Sequence, residues 1–300
     1  MAQQVAYVVN SDSDSVSILD IAKRTVTATV PVGKGPFASA LSKDGAFLYV
    51  TNTSSNTISI VDTRKKVVSS TLSVNGKGPS GIALTPDGMF AFVANEESND
   101  VSVVDLTKKS QIATIAVGGN PFFVAISPDG LRAYVTNSGS DSVSVIDPVA
   151  HVVLKTVPVK WFPMGLVVTK DGRQVYVANT SKNTVSIIDT NTNAVDKTLV
   201  VGSTAISAPE QFALDPNSTE IYVTLYGETF VVGIDSSTSA VHSPLPAGGS
   251  PMGIAVTADG KTMCVTNQDS NTVSLIDLRT KTIQATLPVG NKPSFVLISK

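Results

Sequence analysis

Glu210 stands at a position where the sequence otherwise places large apolar or small hydroxyl side chains. Seven times along the chain a proline opens a short apolar segment, and the residue after it reads Phe37, Ser80, Phe122, Met164, Glu210, Met252 and Ser294. A lone carboxyl among apolar side chains has its charged form disfavoured, which raises its pKa and suits it to proton transfer near neutral pH. In that chemistry Glu210 is the acid/base, while Gln211 and Tyr226 orient polar groups of a hydrophobic substrate. The reaction would be that of a cofactor-independent lyase, cyclase or isomerase. The same region also suits binding without chemistry. Phe37, Phe122, Met164 and Met252, with Trp161, Phe162 and Glu228 from neighbouring loops, would then hold a small apolar or aromatic molecule or a protein segment. A standard catalytic set is missing, so binding is the preferred reading.

The remaining composition excludes more than it offers. Net charge is −2 over 22 basic and 24 acidic residues, with no basic run to attract nucleic acid. Lys34, Lys77, Lys160 and Lys292 adjoin the opening prolines, but acidic loops accompany them, and nucleic acid is not an expected partner. No apolar segment approaches the roughly 18 residues a membrane helix needs. Cys264 is the only cysteine, so no internal disulfide forms, and it reads as a buried structural thiol. The start, Met1-Ala2-Gln3-Gln4, lacks the charged and apolar regions of a signal peptide. It fits a cytoplasmic chain as written or a mature exported form with an added Met. A monomer is expected.

The positioning elements follow from a repeat. Tyr7-Val8-Val9-Asn10 recurs as Tyr49-Val50-Thr51-Asn52, Phe92-Val93-Ala94-Asn95, Tyr134-Val135-Thr136-Asn137, Tyr176-Val177-Ala178-Asn179, Tyr222-Val223-Thr224-Leu225 and Cys264-Val265-Thr266-Asn267. The steps are 42, 43, 42, 42, 46 and 42 residues. Val, Ile, Thr and Ser dominate, aromatic residues are only 6 %, and no amphipathic helix is evident. Such a period without helices predicts an all-β fold, a seven-bladed propeller with four antiparallel strands (A to D) per blade, in one domain over 1–300. Strand A follows the proline, a turn such as Pro128-Asp129-Gly130 follows it, strand B is the tetrapeptide, and alternating residues are expected to set one face of each blade against its neighbour. The chain begins at a strand B and ends at Pro293-Ser294-Phe295-Val296-Leu297-Ile298, a strand A. The C-terminal strand is therefore expected to pair into the first blade and close the ring.

The tetrapeptide, the Pro-Asp-Gly turn and the following Ser-Asn-Thr-Val-Ser-Ile-Ile-Asp segment make the chain resemble the YVTN family of β-propellers over essentially its whole length. The resemblance implies the fold and leaves activity open. Similar propellers occur in surface-layer and periplasmic proteins, beside redox enzymes, and among relatives of lactonases and lyases. A structural or cell-surface role is thus a third reading. The metal site of lactonase-like propellers would need several oxygen ligands around the channel. Glu210, with Gln211 and Asn120 nearby, supplies too few, so neither metal nor cofactor is expected.

In a propeller the D–A and B–C loops open on one face, and strand A lines the channel. Glu210 and the apolar set are therefore expected around an apolar channel mouth with a single acid. Trp161, the only tryptophan, precedes Phe162 in such a loop, the pair either exposed for contact or plugging the channel or packing between blades. The sixth blade departs most, with the long entry Gly202-Ser203-Thr204-Ala205-Ile206-Ser207-Ala208-Pro209, the turn Pro216-Asn217-Ser218, and Tyr226-Gly227-Glu228 in its B–C loop. His151 and His242 fall on the far face or rim, which argues against a histidine-based triad. The repeated Asp20, Asp62, Asp105, Asp147, Asp189, Asp235 and Asp277 read as turn caps, since seven copies cannot mark one site. The loop acids Asp12, Asp14, Glu96, Glu97, Asp100, Asp141 and Asp269 form no calcium loop and read as solvated.

Overall fold

The computed structural model describes residues 4–202 and 207–299. It forms seven four-stranded antiparallel sheets. Blade 1 takes strand A from the C-terminus (Pro293–Ile298) and strands B to D from the start (Val5–Asn10, Ser15–Asp20, Thr25–Pro31). The inner strands A of blades 2 to 7 are Pro36–Leu41, Pro79–Leu84, Pro121–Ile126, Pro163–Val168, Ala208–Leu214 and Pro251–Val256. Each packs on the next, and Pro293–Ile298 packs on Pro36–Leu41, which closes the ring. At the seam Tyr7 pairs with Leu297 and Val8 with Val296. Val5 N–H donates to Ser299 Oγ at 3.0 Å, and Ser299 N–H to the Val5 carbonyl at 2.8 Å. The seam thereby pairs two edges that a linear array would leave open.

Period-two burial was expected of every blade and holds only outside. The outer strand Val67–Ser73 alternates between exposed and half-buried residues, whereas Thr57–Asp62 and Phe90–Asn95 are buried almost throughout. Middle strands lie between two neighbouring sheets, so both of their faces are covered. The outer strand of blade 6 is reduced to Leu245–Pro246, and His242 lies before it.

The repeated polar residues are scaffold. Oδ1 of Asp62, Asp105, Asp147, Asp189, Asp235 and Asp277 each accepts two backbone N–H bonds from the following turn. The Asn side chains of the tetrapeptide tie strand B to strand C. Asn137 Nδ2, for example, donates to Ser142 Oγ and Ser144 Oγ, both at 3.0 Å.

Candidate functional site

Every inner strand breaks register just after its proline. Such a bulge frees the next two residues from the ladder in blades 2 to 7, and Ser294 alone in blade 1, and re-aims their side chains. In blade 4 the freed pair is Phe122–Phe123, and in blade 6 it is Glu210–Gln211. A hydroxyl braces both. Thr136 Oγ1 receives Phe123 N–H at 3.0 Å and donates to the Met164 carbonyl of blade 5 at 2.6 Å. Thr224 Oγ1 receives Gln211 N–H at 3.0 Å and donates to the Met252 carbonyl of blade 7 at 2.7 Å.

On one side of the axis residues at and next to these bulges form an aromatic cluster. Phe37 of blade 2 meets Phe122 and Phe123 of blade 4, at ring centroid distances of 4.9 and 5.9 Å. Phe123 stacks on Phe295 of blade 1 at 6.0 Å. Blades 2 and 4, or 4 and 1, are not neighbours, so these rings meet across the ring of blades. The apolar mouth expected there is filled by its own side chains, and Phe122 and Phe123 are buried. The two serines of the set face protein: Ser80 Oγ donates to the Phe122 carbonyl and Ser294 Oγ to the Phe37 carbonyl, each at 2.8 Å.

Phe123 and Phe295 lie one residue beyond the post-proline positions. Their signal is in that column, where the blades read Ala38, Gly81, Phe123, Gly165, Gln211, Gly253 and Phe295. Glycine is required at 81, 165 and 253 by close approach, because a Cβ would strike the backbone of the next inner strand. At Gly165 that strand is Glu210 itself, whose carbonyl oxygen would lie within bonding range of the added carbon.

Glu210 and Gln211 are both buried, and Glu210 Oε2 and Gln211 Nε2 have no hydrogen-bond partner. Burial pushes the Glu210 carboxyl up to about 8, so it is largely protonated at neutral pH. Met252 is buried in the next blade, its Sδ accepting from Gln268 Nε2 at 3.1 Å, and Met164 is half-buried. Tyr226, at the end of strand B (Glu220–Tyr226), is half-buried opposite Ala208, and no hydrogen bond joins it to Glu210 or Gln211. Glu228 Oε1 accepts from Ser207 Oγ, a contact that joins the B–C loop of blade 6 to the long entry of the same blade. Residues 203–206 of that entry lie outside the described residues.

Trp161 and Phe162 are 39 % and 45 % exposed, so they neither plug the axis nor pack between blades. Lys160 and Lys182 place their Nζ 5.1 and 5.8 Å from the Trp161 ring. Both aromatic residues hold left-handed backbone, φ 60° and 61°. The equivalents of Phe162 are Gly35, Gly78, Asn120, Ser250 and Lys292, also at positive φ. Phe162 N–H donates to Asp141 Oδ1 at 2.8 Å, as Gly35 N–H does to Asp14 Oδ1 and Asn120 N–H to Asn99 Oδ1. Asp14 and Asp141 are therefore not merely solvated, because their acceptors tie one blade's B–C loop to the next blade's entry. Asp100 Oδ1 likewise accepts from Asn95 Nδ2 and Asp269 Oδ2 from Ser250 Oγ, and Lys34 and Lys292 pair with Asp14 and Asp269 at 2.6 and 3.3 Å.

His151 has its ring centroid 6.4 Å from that of Phe92, and His242 Nδ1 lies 2.9 Å from Glu220 Oε1. Among the described residues no group of three or more His, Cys, Asp or Glu could hold a metal ion. Among the described residues no helix is long and apolar enough to cross a membrane.

The architecture defines a seven-bladed, C-terminally closed β-propeller whose axis is aromatic on one side and carries a buried acid–amide pair on the other. The chain belongs to the YNCE-like β-propeller family, whose model matches residues 1–298. Among solved structures, Kuenenia stuttgartiensis hydrazine synthase is similar at 26 % identity and TM-score 0.81, over 90 % of this chain and 91 % of that one. A candidate 6-phosphogluconolactonase from Bacteroides fragilis is similar at 16 % identity and TM-score 0.84, over 100 % and 99 %. A functionally unknown protein from Desulfotomaculum acetoxidans is similar at 15 % and 0.84, over 98 % of both chains. The last two likenesses concern the fold alone. No curated protein matches the chain.

Proposed function

We propose that this propeller is a binding module whose D–A/B–C loop face engages a partner through Trp161 and Phe162. The carrying observation is the backbone of that pair. Left-handed conformation costs a bulky residue on the order of 1–3 kcal/mol, and it persists where something else selects for the side chain. Sibling loops make the same hydrogen bond with glycine, asparagine or lysine, so the fold does not need aromatic residues there. Two exposed rings flanked by Lys160 and Lys182 suit a protein segment with apolar and acidic side chains better than an uncharged small molecule.

Trp161 is the only tryptophan, which makes its fluorescence a direct reporter. Titration with a panel of acidic, leucine- or phenylalanine-bearing peptides is expected to shift its emission to the blue saturably. Lys182→Glu should weaken that binding. A panel giving no shift at all, with the propeller intact, would count against the reading.

The buried carboxyl favours a second reading, in which Glu210 is the acid/base of a cofactor-independent lyase, cyclase or isomerase. Its protonation near neutral pH supports this, whereas the lack of a hydrogen bond from Tyr226, paired opposite Ala208, to Glu210 or Gln211 does not. With a candidate substrate in hand, unchanged turnover in Glu210→Gln would remove this assignment.

A further inference from the structure

Five of the buried polar atoms without partners are the Oδ1 atoms of Asn10, Asn52, Asn95, Asn137 and Asn179. They recur blade after blade, and the Nδ2 of each donates twice, so they belong to the repeat. Glu210 Oε2 and Gln211 Nε2 are different. They are adjacent, they occur in one blade, and they occupy a bulge that in blade 4 is filled by Phe122 and Phe123. Buried polar groups are nearly always bonded, so an unmatched donor and an unmatched acceptor on consecutive residues of one bulge call for a complementary partner.

We propose that the axial bulge of blade 6 is a hydrogen-bonding subsite for a carboxamide, which offers its carbonyl oxygen to Gln211 Nε2 and its N–H to Glu210 Oε2. This rests on the reading of the protein as a binding module and names a chemical group that its axis accepts. The amide nitrogen of glutamine can only donate, so its missing partner contains an acceptor. A carboxyl oxygen can accept, so the same partner can return a donor. Glu210 and Gln211 are each only 5 % exposed, and burial of that kind disfavours a charged occupant. The raised pKa of Glu210 agrees, because a neutral carboxyl does not call for a cation.

Benzamide is the probe, with benzoate and benzylamine as charged comparators, titrated calorimetrically into the full chain at pH 7. Benzamide is expected to bind saturably and the comparators at least about tenfold more weakly, the effect of one good hydrogen bond or an uncompensated charge. Glu210→Met and Gln211→Phe introduce side chains that sibling blades carry there. Each should fold with an unchanged or higher Tm and lose benzamide affinity about tenfold or more. Trp161→Ala should leave benzamide binding unchanged, so failure of the loop reading and failure of the axial subsite are distinguishable. The proposal is overturned if benzamide does not bind, if either comparator binds as well, or if both axial variants retain affinity. A crystal structure with benzamide showing only ordered water on the two atoms overturns it equally.

Discussion

Blades 4 and 6 share one inner-strand design and fill it oppositely. Both carry a proline, a two-residue bulge, and a threonine that receives the second residue's N–H and reaches the carbonyl of the next blade. Blade 4 fills the bulge with two phenylalanines that stack across the axis. Blade 6 fills it with a carboxyl and an amide, each leaving a polar atom unbonded. The backbone therefore specifies neither filling. What an apolar pair would stabilise in blade 6 is given up, and such losses concentrate where a protein acts.

The largest way to test that contrast is pH. The Glu210 carboxyl is raised from its ordinary 4.5 to about 8 by burial, so between those values the folded chain binds more protons than the unfolded one. Stability falls as pH rises through that window, is flat below it because both states are protonated, and is flat above it because both are ionised. The span is on the order of 5 kcal/mol at about 1.4 kcal/mol per pKa unit. Glu210→Gln should remove most of this slope in denaturant titrations at pH 5, 7 and 9. If wild type and variant run parallel, the carboxyl is not buried as described. The turn caps do not confuse the window, because their carboxyls are lowered by backbone N–H bonds and lose their contribution only in acid.

A somewhat smaller effect probes the approach of blades 5 and 6. Gly165→Ala places a methyl against the Glu210 carbonyl, a backbone atom that cannot swing away, and should cost about 3 kcal/mol or more. Gly249→Ala, with nothing within 4 Å of its added carbon, serves as the neutral control. Equal stability of the two variants would mean that blade 6 can retreat from blade 5. Below these in size comes Asp277→Ala, which removes a cap accepting the N–H groups of Arg279 and Thr280 and should cost about 1–2 kcal/mol in thermal or chemical denaturation.

The architecture was legible because its signals are periodic. Seven tetrapeptides, seven prolines and seven cap aspartates state blade number, strand phase and the C-terminal closure without any knowledge of packing. Glu210 stood out in the same way, as the one residue breaking a sevenfold column. What the column could not show is how far a side chain reaches. Phe123 and Phe295 fill the axis from the next column over, and only the bulge explains why consecutive residues leave the ladder together. Nor did composition separate a solvated acid from an acceptor. Asp141 bonds the Phe162 N–H 21 residues away, a partner set by blade packing, not by its neighbours in sequence.

The smallest effect bears on the loop face. Phe162 holds φ 61° at a position where blades 2 and 3 carry glycine, and its ring is 45 % exposed. Phe162→Gly keeps the N–H that donates to Asp141 and removes the steric cost of left-handed backbone, while the more flexible unfolded chain offsets part of the gain. The net expectation is a stabilisation of about 0.5–1 kcal/mol, read as a higher urea midpoint with an unchanged slope. Peptide binding at Trp161 should weaken in the same variant. A gain in stability with a loss of binding is the pattern of a side chain kept for contact, whereas a loss of both would return Phe162 to the scaffold.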